Sequence, residues 1–301
     1  MTGAALRSLL FVPGDSERKL AKAVSTAADA IILDLEDSVA HERLPFARGL
    51  VADFLQSHTG KPQRWVRVNA LESGQLLADL VAIVRCVPDG IVLPKVSCQD
   101  EVKRVHHYLS ALEAREGIEP NSIGIIVIAG ETATAVLQGF ADPPIEPRVR
   151  GITWGVEDLA SALGARSKYE ADGSLTFTFQ LARSQCLLAA AAASASAIDG
   201  VYAKLGDTAG LEREARAAFR DGFHGKLAIH PDQVPVINAA FTPTPEEIDR
   251  ARAIVRAFET SQGAGVVNLN GRMLDRPHLA LAQRTLAAAS ASGAAAGEDS
   301  K

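Results

Sequence analysis

The amino-acid sequence predicts a (β/α)8 barrel. Short apolar runs alternate with helical patterns from Ser8 onward, and eight such pairs fit into about 240 residues. Acidic, basic and amide side chains recur where the runs end, the edge on which parallel α/β folds place their chemistry. A doubly wound open sheet also alternates in this way. It is disfavoured because no Gly-x-Gly-x-x-Gly turn follows the first run, which leads instead into Pro13-Gly14.

Each element has its own signal. Ser8–Val12 is the first expected strand, and Asp15 or Ser16 can cap a helix carrying Arg18, Lys19 and Lys22. Ala30–Leu35 is the second, ending in Asp34, Glu36 and Asp37, and Trp65–Val68 the third, with Arg67 just before Asn69. Gly90–Leu93 is the fourth and runs into Pro94-Lys95. Ile125–Ala129 and Val149–Thr153 are the fifth and sixth, followed by Gly130-Glu131-Thr132 and by Trp154-Gly155-Val156-Glu157-Asp158-Leu159. Ile198–Tyr202, with Asp199 inside it, is the seventh, and Lys226–Ile229, before His230-Pro231, the eighth. Apolar runs bounded by turn residues read as buried strands. Leu76–Val84, Glu101–Arg115, Phe179–Ala193 and Leu211–Phe219 supply helices between them.

The barrel is expected to occupy residues 1–241. Thr242-Pro243-Thr244-Pro245 interrupts the chain, and Pro245 opens a helix through Phe258. A hairpin-like segment from Val266 to Asp275 and a last helix follow, so residues 242–286 form an appendage of the kind that serves as a lid or reaches a neighbouring subunit. Residues 287–301, mostly Ala, Ser and Gly, are expected to be a disordered tail.

Composition narrows the function. The 301 residues are 47% hydrophobic and 22% charged, an ordinary soluble balance. A net charge of -5 without a long basic run argues against nucleic-acid binding. Leu9-Leu10-Phe11-Val12 is too short for a signal peptide core, and no apolar run reaches the roughly 18 residues of a membrane span. Cys86, Cys98 and Cys186 have no metal-site spacing and read as free thiols in a reducing cytoplasm.

Glu131 and Asp158 both follow strand ends and are expected to form a carboxylate pair for a hard divalent cation; Mg²⁺ needs only one or two carboxylates. Asp158 could instead cap the helix beginning at Leu159, and Arg67 could pair with Glu36 as a salt bridge at the barrel mouth. Lys95 could be a Schiff-base lysine, although Pro94 and the neighbouring acids favour an ion pair.

Several motifs occur in a fixed order: Leu9-Leu10-Phe11-Val12-Pro13-Gly14, Asp34-Leu35-Glu36-Asp37-Ser38-Val39, Arg67-Val68-Asn69, Leu93-Pro94-Lys95, Glu131-Thr132-Ala133, Gly155-Val156-Glu157-Asp158-Leu159-Ala160 and Ile229-His230-Pro231. Together they resemble the citrate lyase beta subunit-like branch of the HpcH/HpaI aldolase superfamily, which includes malyl-CoA and citramalyl-CoA lyases. The resemblance implies a TIM barrel with Mg²⁺, or Mn²⁺, on Glu131 and Asp158, and with Glu36 and Asp37 around them. It implies that Arg67 polarises a thioester carbonyl, and that Asp275, in Met273-Leu274-Asp275-Arg276-Pro277, is an acid/base carried on a lid to a neighbouring subunit of a homotrimer or hexamer.

The backbone of Gly155, Val156, Glu157 and Asp158 can hold a substrate carboxylate at a helix start, and Arg18, Lys19 and Lys22 can meet coenzyme A phosphates. The implied activity is retro-Claisen cleavage of a 3-hydroxyacyl-CoA to acetyl-CoA and an oxo acid. A malyl-CoA thioesterase, or a citrate lyase beta subunit working on a carrier-bound substrate, are the alternatives.

Overall fold

A computed structural model describes residues 6–138, 146–261 and 265–293. These fall into two compact units, one spanning Leu6–Ile237 and the other beginning at Asn238, four residues before the expected start at 242.

The first unit is a closed barrel of eight parallel strands in sequence order. They are β1 (Ser8–Pro13), β2 (Ala30–Asp34), β3 (Gln63–Arg67), β4 (Gly90–Val96), β5 (Gly124–Ala129), β6 (Val149–Trp154), β7 (Ser196–Asp199) and β8 (Gly225–Ala228). Pairing of Ser8 with Lys226 and Leu9 with Leu227 closes the ring. The helices between them are α1 (Glu17–Ala23), α2 (Leu44–Ser57), α3 (Leu76–Ile83), α4 (Gln99–Glu116), α5 (Ala133–Gln138), α6 (Val156–Leu163), α7 (Phe177–Ala192) and α8 (Thr208–Asp221), and α9 (Gln233–Ala240) follows β8.

Strand alternation explains the core. Leu9, Ala30, Ile32, Trp65, Val92, Ile126, Ile198 and Leu227 share one buried cluster. Trp65 fills the space that Gly90 leaves: a Cβ at Gly90 would lie 2.2 Å from the Trp65 ring. Replacing a buried tryptophan of this kind by alanine typically costs about 3–5 kcal/mol.

The seventh strand ends at Asp199 and does not continue to Tyr202. The Asp199 carboxylate is captured by Trp154 Nε1 at 3.0 Å, Arg183 Nε at 2.9 Å and Lys226 Nζ at 3.0 Å, and the chain then turns so that the Tyr202 hydroxyl donates to Asp207.

The second unit is a helix–hairpin–helix. α10 (Pro245–Thr260) starts with a capping box in which Thr244 Oγ accepts from the Glu247 N–H. β9 (Val266–Leu269) and β10 (Arg272–Asp275) are antiparallel, joined by Asn270-Gly271, both at positive φ as a tight primed turn requires. α11 (Arg276–Ala291) completes it, and Ile254, Phe258, Val267, Leu274 and Ala282 form its small core.

The expected tail from 287 is corrected in part. Residues 287–291 are helical, with Ala289 fully buried, because alanine favours helix and this turn packs inward. Residues 294–301 lie outside the described residues.

Candidate active site

Parallel strands in one barrel point their C-terminal ends the same way, so the acids that end them converge. A cavity of ≈ 690 Å³ opens there, lined by Arg18, Lys19, Lys22, Asp34, Asp37, Arg67, Glu131 and the stretch Trp154–Asp158. Ten of the twelve residues expected in the site thus border one cavity, and an eleventh, Glu36, is paired with Arg67, which does, and with Lys95. Asp275, the remaining one beyond these, belongs to the second unit, where it is exposed at the start of α11.

Glu131 is 3% exposed. Burial foremost, together with the charges of Asp158 and Glu36, pushes its carboxyl up to about 8 although the Lys95 main-chain N–H opposes the rise. A Cβ on Gly155 would lie 2.5 Å from Glu131 Cγ, so the glycine is what lets this carboxylate approach the start of α6. Gly155, and not Asp158, is the N-cap of α6, and no side-chain cap bond is made there. Asp158 lies in the first turn and borders the cavity, so the capping alternative fails.

Two mutually repelling carboxylates, one of them buried, are a hard-oxygen donor set lacking a positive charge between them. They fit a cation such as Mg²⁺, which keeps several waters or substrate oxygens. Among the described residues no cluster of three or more His, Cys, Asp or Glu is arranged to hold a metal.

Arg67 is held chiefly by a residue to which the sequence analysis assigned no role. Its Nε and Nη2 each donate to Asp34 at 2.7 Å, while Nη1 lies 3.0 Å from Glu36 and 3.5 Å from Asp37. Asp34 pairs directly with Arg67 across β2 and β3. The signal was available: alternation along β2 puts Ala30, Ile32 and Asp34 on one face. Burial would lower the guanidinium's proton affinity, but Asp34, Glu36 and Asp37 together raise it, and Arg67 is a fixed cation. Its guanidinium stacks 4.8 Å above the Phe11 ring.

Lys95 makes the ion pair, with Glu36 and with Asp37. These carboxylates, Glu36 first, outweigh burial and keep the amine protonated above its ordinary range. Lys95 adopts φ 55 where the β4–β5 register shifts between Leu93 and Val96, and this bulge turns its N–H toward Glu131.

Arg18, Lys19 and Lys22, on α1, line the cavity rim, and Glu157 is engaged by Lys168. His230, which follows the eighth strand, also borders the cavity. His278 was passed over in the sequence; its ring contacts the Asp275 carboxylate.

The HpcH/HpaI aldolase/citrate lyase family model matches residues 7–231. The chain belongs to this family. Within the HpcH/HpaI aldolase/citrate lyase group, the (3S)-malyl-CoA thioesterase of Cereibacter sphaeroides is 38% identical over 288 residues, 95% of each chain. The mitochondrial citramalyl-CoA lyase of Rattus norvegicus is 34% identical over 291 residues, covering 92% of this chain and 84% of the relative. A crystal structure of CitE from Mycobacterium tuberculosis, in complex with magnesium, acetoacetate and coenzyme A, superposes with a TM-score of 0.78 at 31% identity, covering 96% of this chain and all of the other. The TIM-barrel fold with a C-terminal extension is thus shared with this relative.

Proposed function

We propose that this chain is an Mg²⁺-dependent carbon–carbon lyase that cleaves a 3-hydroxyacyl-CoA of malyl-CoA, citramalyl-CoA or 3-hydroxy-3-methylglutaryl-CoA type into acetyl-CoA and an oxo acid. The observation that carries the reading is the buried Glu131 carboxylate, seated against Gly155 at the start of α6, within the field of Asp158, and raised to about 8. Glu131 and Asp158 would hold Mg²⁺, which when bound supplies Lewis acidity toward the oxygens of the oxo-acid half. The relative crystallised with magnesium, acetoacetate and coenzyme A supports both the ion and the substrate class.

The remaining work falls to side chains and backbone. N–H groups at the start of α6 orient the substrate carboxylate along the helix dipole. Arg67 offers its unused N–H donors and a permanent charge to the thioester oxygen, where negative charge grows as the C2–C3 bond breaks. One such preorganised donor is typically worth about 3–4 kcal/mol. Arg18, Lys19 and Lys22 face the phosphates of coenzyme A. Asp275, supplied by a neighbouring subunit of a homo-oligomer and ionised at rest, takes up the proton that the 3-hydroxyl loses as the C2–C3 bond breaks and delivers it to the enolate carbon, or removes that proton in the condensing direction.

A thioesterase is the second reading, favoured by the relative of that name at 38% identity. It would use the same site to deliver water to the thioester carbonyl. A panel of 3-hydroxyacyl-CoA esters, assayed with Mg²⁺ and with EDTA, separates the two. Metal-dependent release of acetyl-CoA together with an oxo acid supports the lyase, whereas free CoA without acetyl-CoA replaces it with the thioesterase. No turnover of any ester, with a carrier protein copurifying, replaces both with a citrate lyase beta subunit.

A further inference from the structure

We propose that His278 is a positioning residue for Asp275: its ring, and not the helix cap alone, holds the carboxylate in the geometry needed for proton transfer at the acyl carbon. The proposal deepens the lyase reading and rests on it.

α11 opens with a capping box whose third helical position is normally Glu or Gln, and here it is His278. Its Nδ1 lies 3.2 Å from the Asp275 main-chain nitrogen and 2.5 Å from Asp275 Oδ1. The one ring nitrogen is thus within hydrogen-bond reach of both the cap N–H and the carboxylate, and the second contact is one that an ordinary cap does not need.

The surroundings are built to keep this arrangement. Asp275 is paired with Val266 in the hairpin, Leu274 before it is buried, and Pro277 stiffens the first turn of α11. Both partners remain about half exposed, at 49% for the His278 side chain and 52% for Asp275, so further lone pairs of the carboxylate face outward. The His278 hydrogen bond is the chief cause holding the Asp275 carboxyl below its usual range, which leaves it ionised and oriented.

His278→Gln separates the cap from the clamp, because Gln is a normal capping-box residue but brings a neutral amide. His278→Asn places an amide N–H near the position of Nδ1 on a shorter stem. In the full-length protein, melting temperature, steady-state cleavage of the active ester and deuterium exchange into the acetyl-CoA methyl group would be measured. H278Q is expected to melt within about 1 °C of wild type. Its KM should stay within about twofold and its kcat and exchange rate fall about 10–100-fold, the size of a general acid–base contribution; H278N should regain part of the loss. Wild-type kcat in H278Q would overturn the proposal, as would equal losses in both variants that track the melting temperature.

Carboxyl-carbon NMR of Asp275 reads the contact without catalysis. Its titration should move upward in H278Q, and an unchanged midpoint would also overturn the proposal. If wild type turns over no ester, the lyase reading fails, and the NMR titration still decides the contact.

Discussion

The Lys95 main-chain N–H donates to Glu131 Oε2 at 2.5 Å, from a lysine whose backbone sits at φ 55. A non-glycine residue in that region costs roughly 1–3 kcal/mol, and such strain collects at functional sites. Here it aims one donor at a buried carboxylate while the same residue's side chain pairs with Glu36 and Asp37. One residue thereby links the strand-2 acids to the candidate metal pair.

Gly155→Ala tests how tightly Glu131 is placed. The added Cβ would meet Glu131 Cγ at 2.5 Å and Oε1 at 2.8 Å, so the carboxylate must shift. The expected outcome is an Mg²⁺ affinity weakened about 10-fold or more, read by calorimetry, as for lost support of a metal ligand. Circular dichroism should remain that of wild type.

Arg67→Lys tests the fork. A lysine keeps the charge but cannot make both 2.7 Å bonds to Asp34. Loss of an aligned donor should lower kcat about 10²–10³-fold. Steady-state kinetics showing less than a threefold change would mean that Arg67 only balances the barrel-mouth acids.

Lys95 should not form a Schiff base. Its amine is kept protonated by Glu36 and Asp37, and a protonated amine is no nucleophile. Borohydride reduction in the presence of an oxo acid, followed by peptide mass spectrometry, should leave Lys95 without an adduct.

Asp199 makes the protein sensitive to acid. Burial would raise its carboxyl, but Lys226 and Arg183 overcome this and hold it down to about 2, below the unfolded value of about 3.9. A depressed carboxylate contributes stability that is present above the unfolded value and lost as pH falls through the folded one. The contribution is roughly 2–3 kcal/mol by linkage. Denaturant unfolding should therefore show wild type losing stability between about pH 4 and pH 2. Asp199→Asn should flatten that slope and be less stable by about 3–5 kcal/mol at neutral pH, because it leaves Lys226 and Arg183 short of a buried counter-charge.

Much of this was legible before any coordinates. Glu131 and Asp158 could be assigned to one face because both follow apolar runs, and parallel strands in a barrel present their ends together. The pairing of Arg67 with Glu36 could be named and is present at 3.0 Å, but the closer, two-pronged partner could not: register sets Asp34 opposite Arg67 across β2 and β3. The seventh strand was placed too far along because Val201 and Tyr202 suit a strand. What stops it is the capture of Asp199 by Trp154, Arg183 and Lys226, of which the first and last lie 45 and 27 residues away. His278 was missed because histidine is not the usual third residue of a capping box.

The sequence by itself determined the barrel, the family and the order in which acids and cations reach the cavity, since these follow from local periodicity and from motifs in a fixed order. Only the tertiary structure decided who holds whom: Asp34 on Arg67, the Lys95 N–H on Glu131, the empty Cβ position of Gly155 beneath it. Such pairings depend on strand register and on close approaches between residues far apart in the chain, and no local pattern encodes those distances.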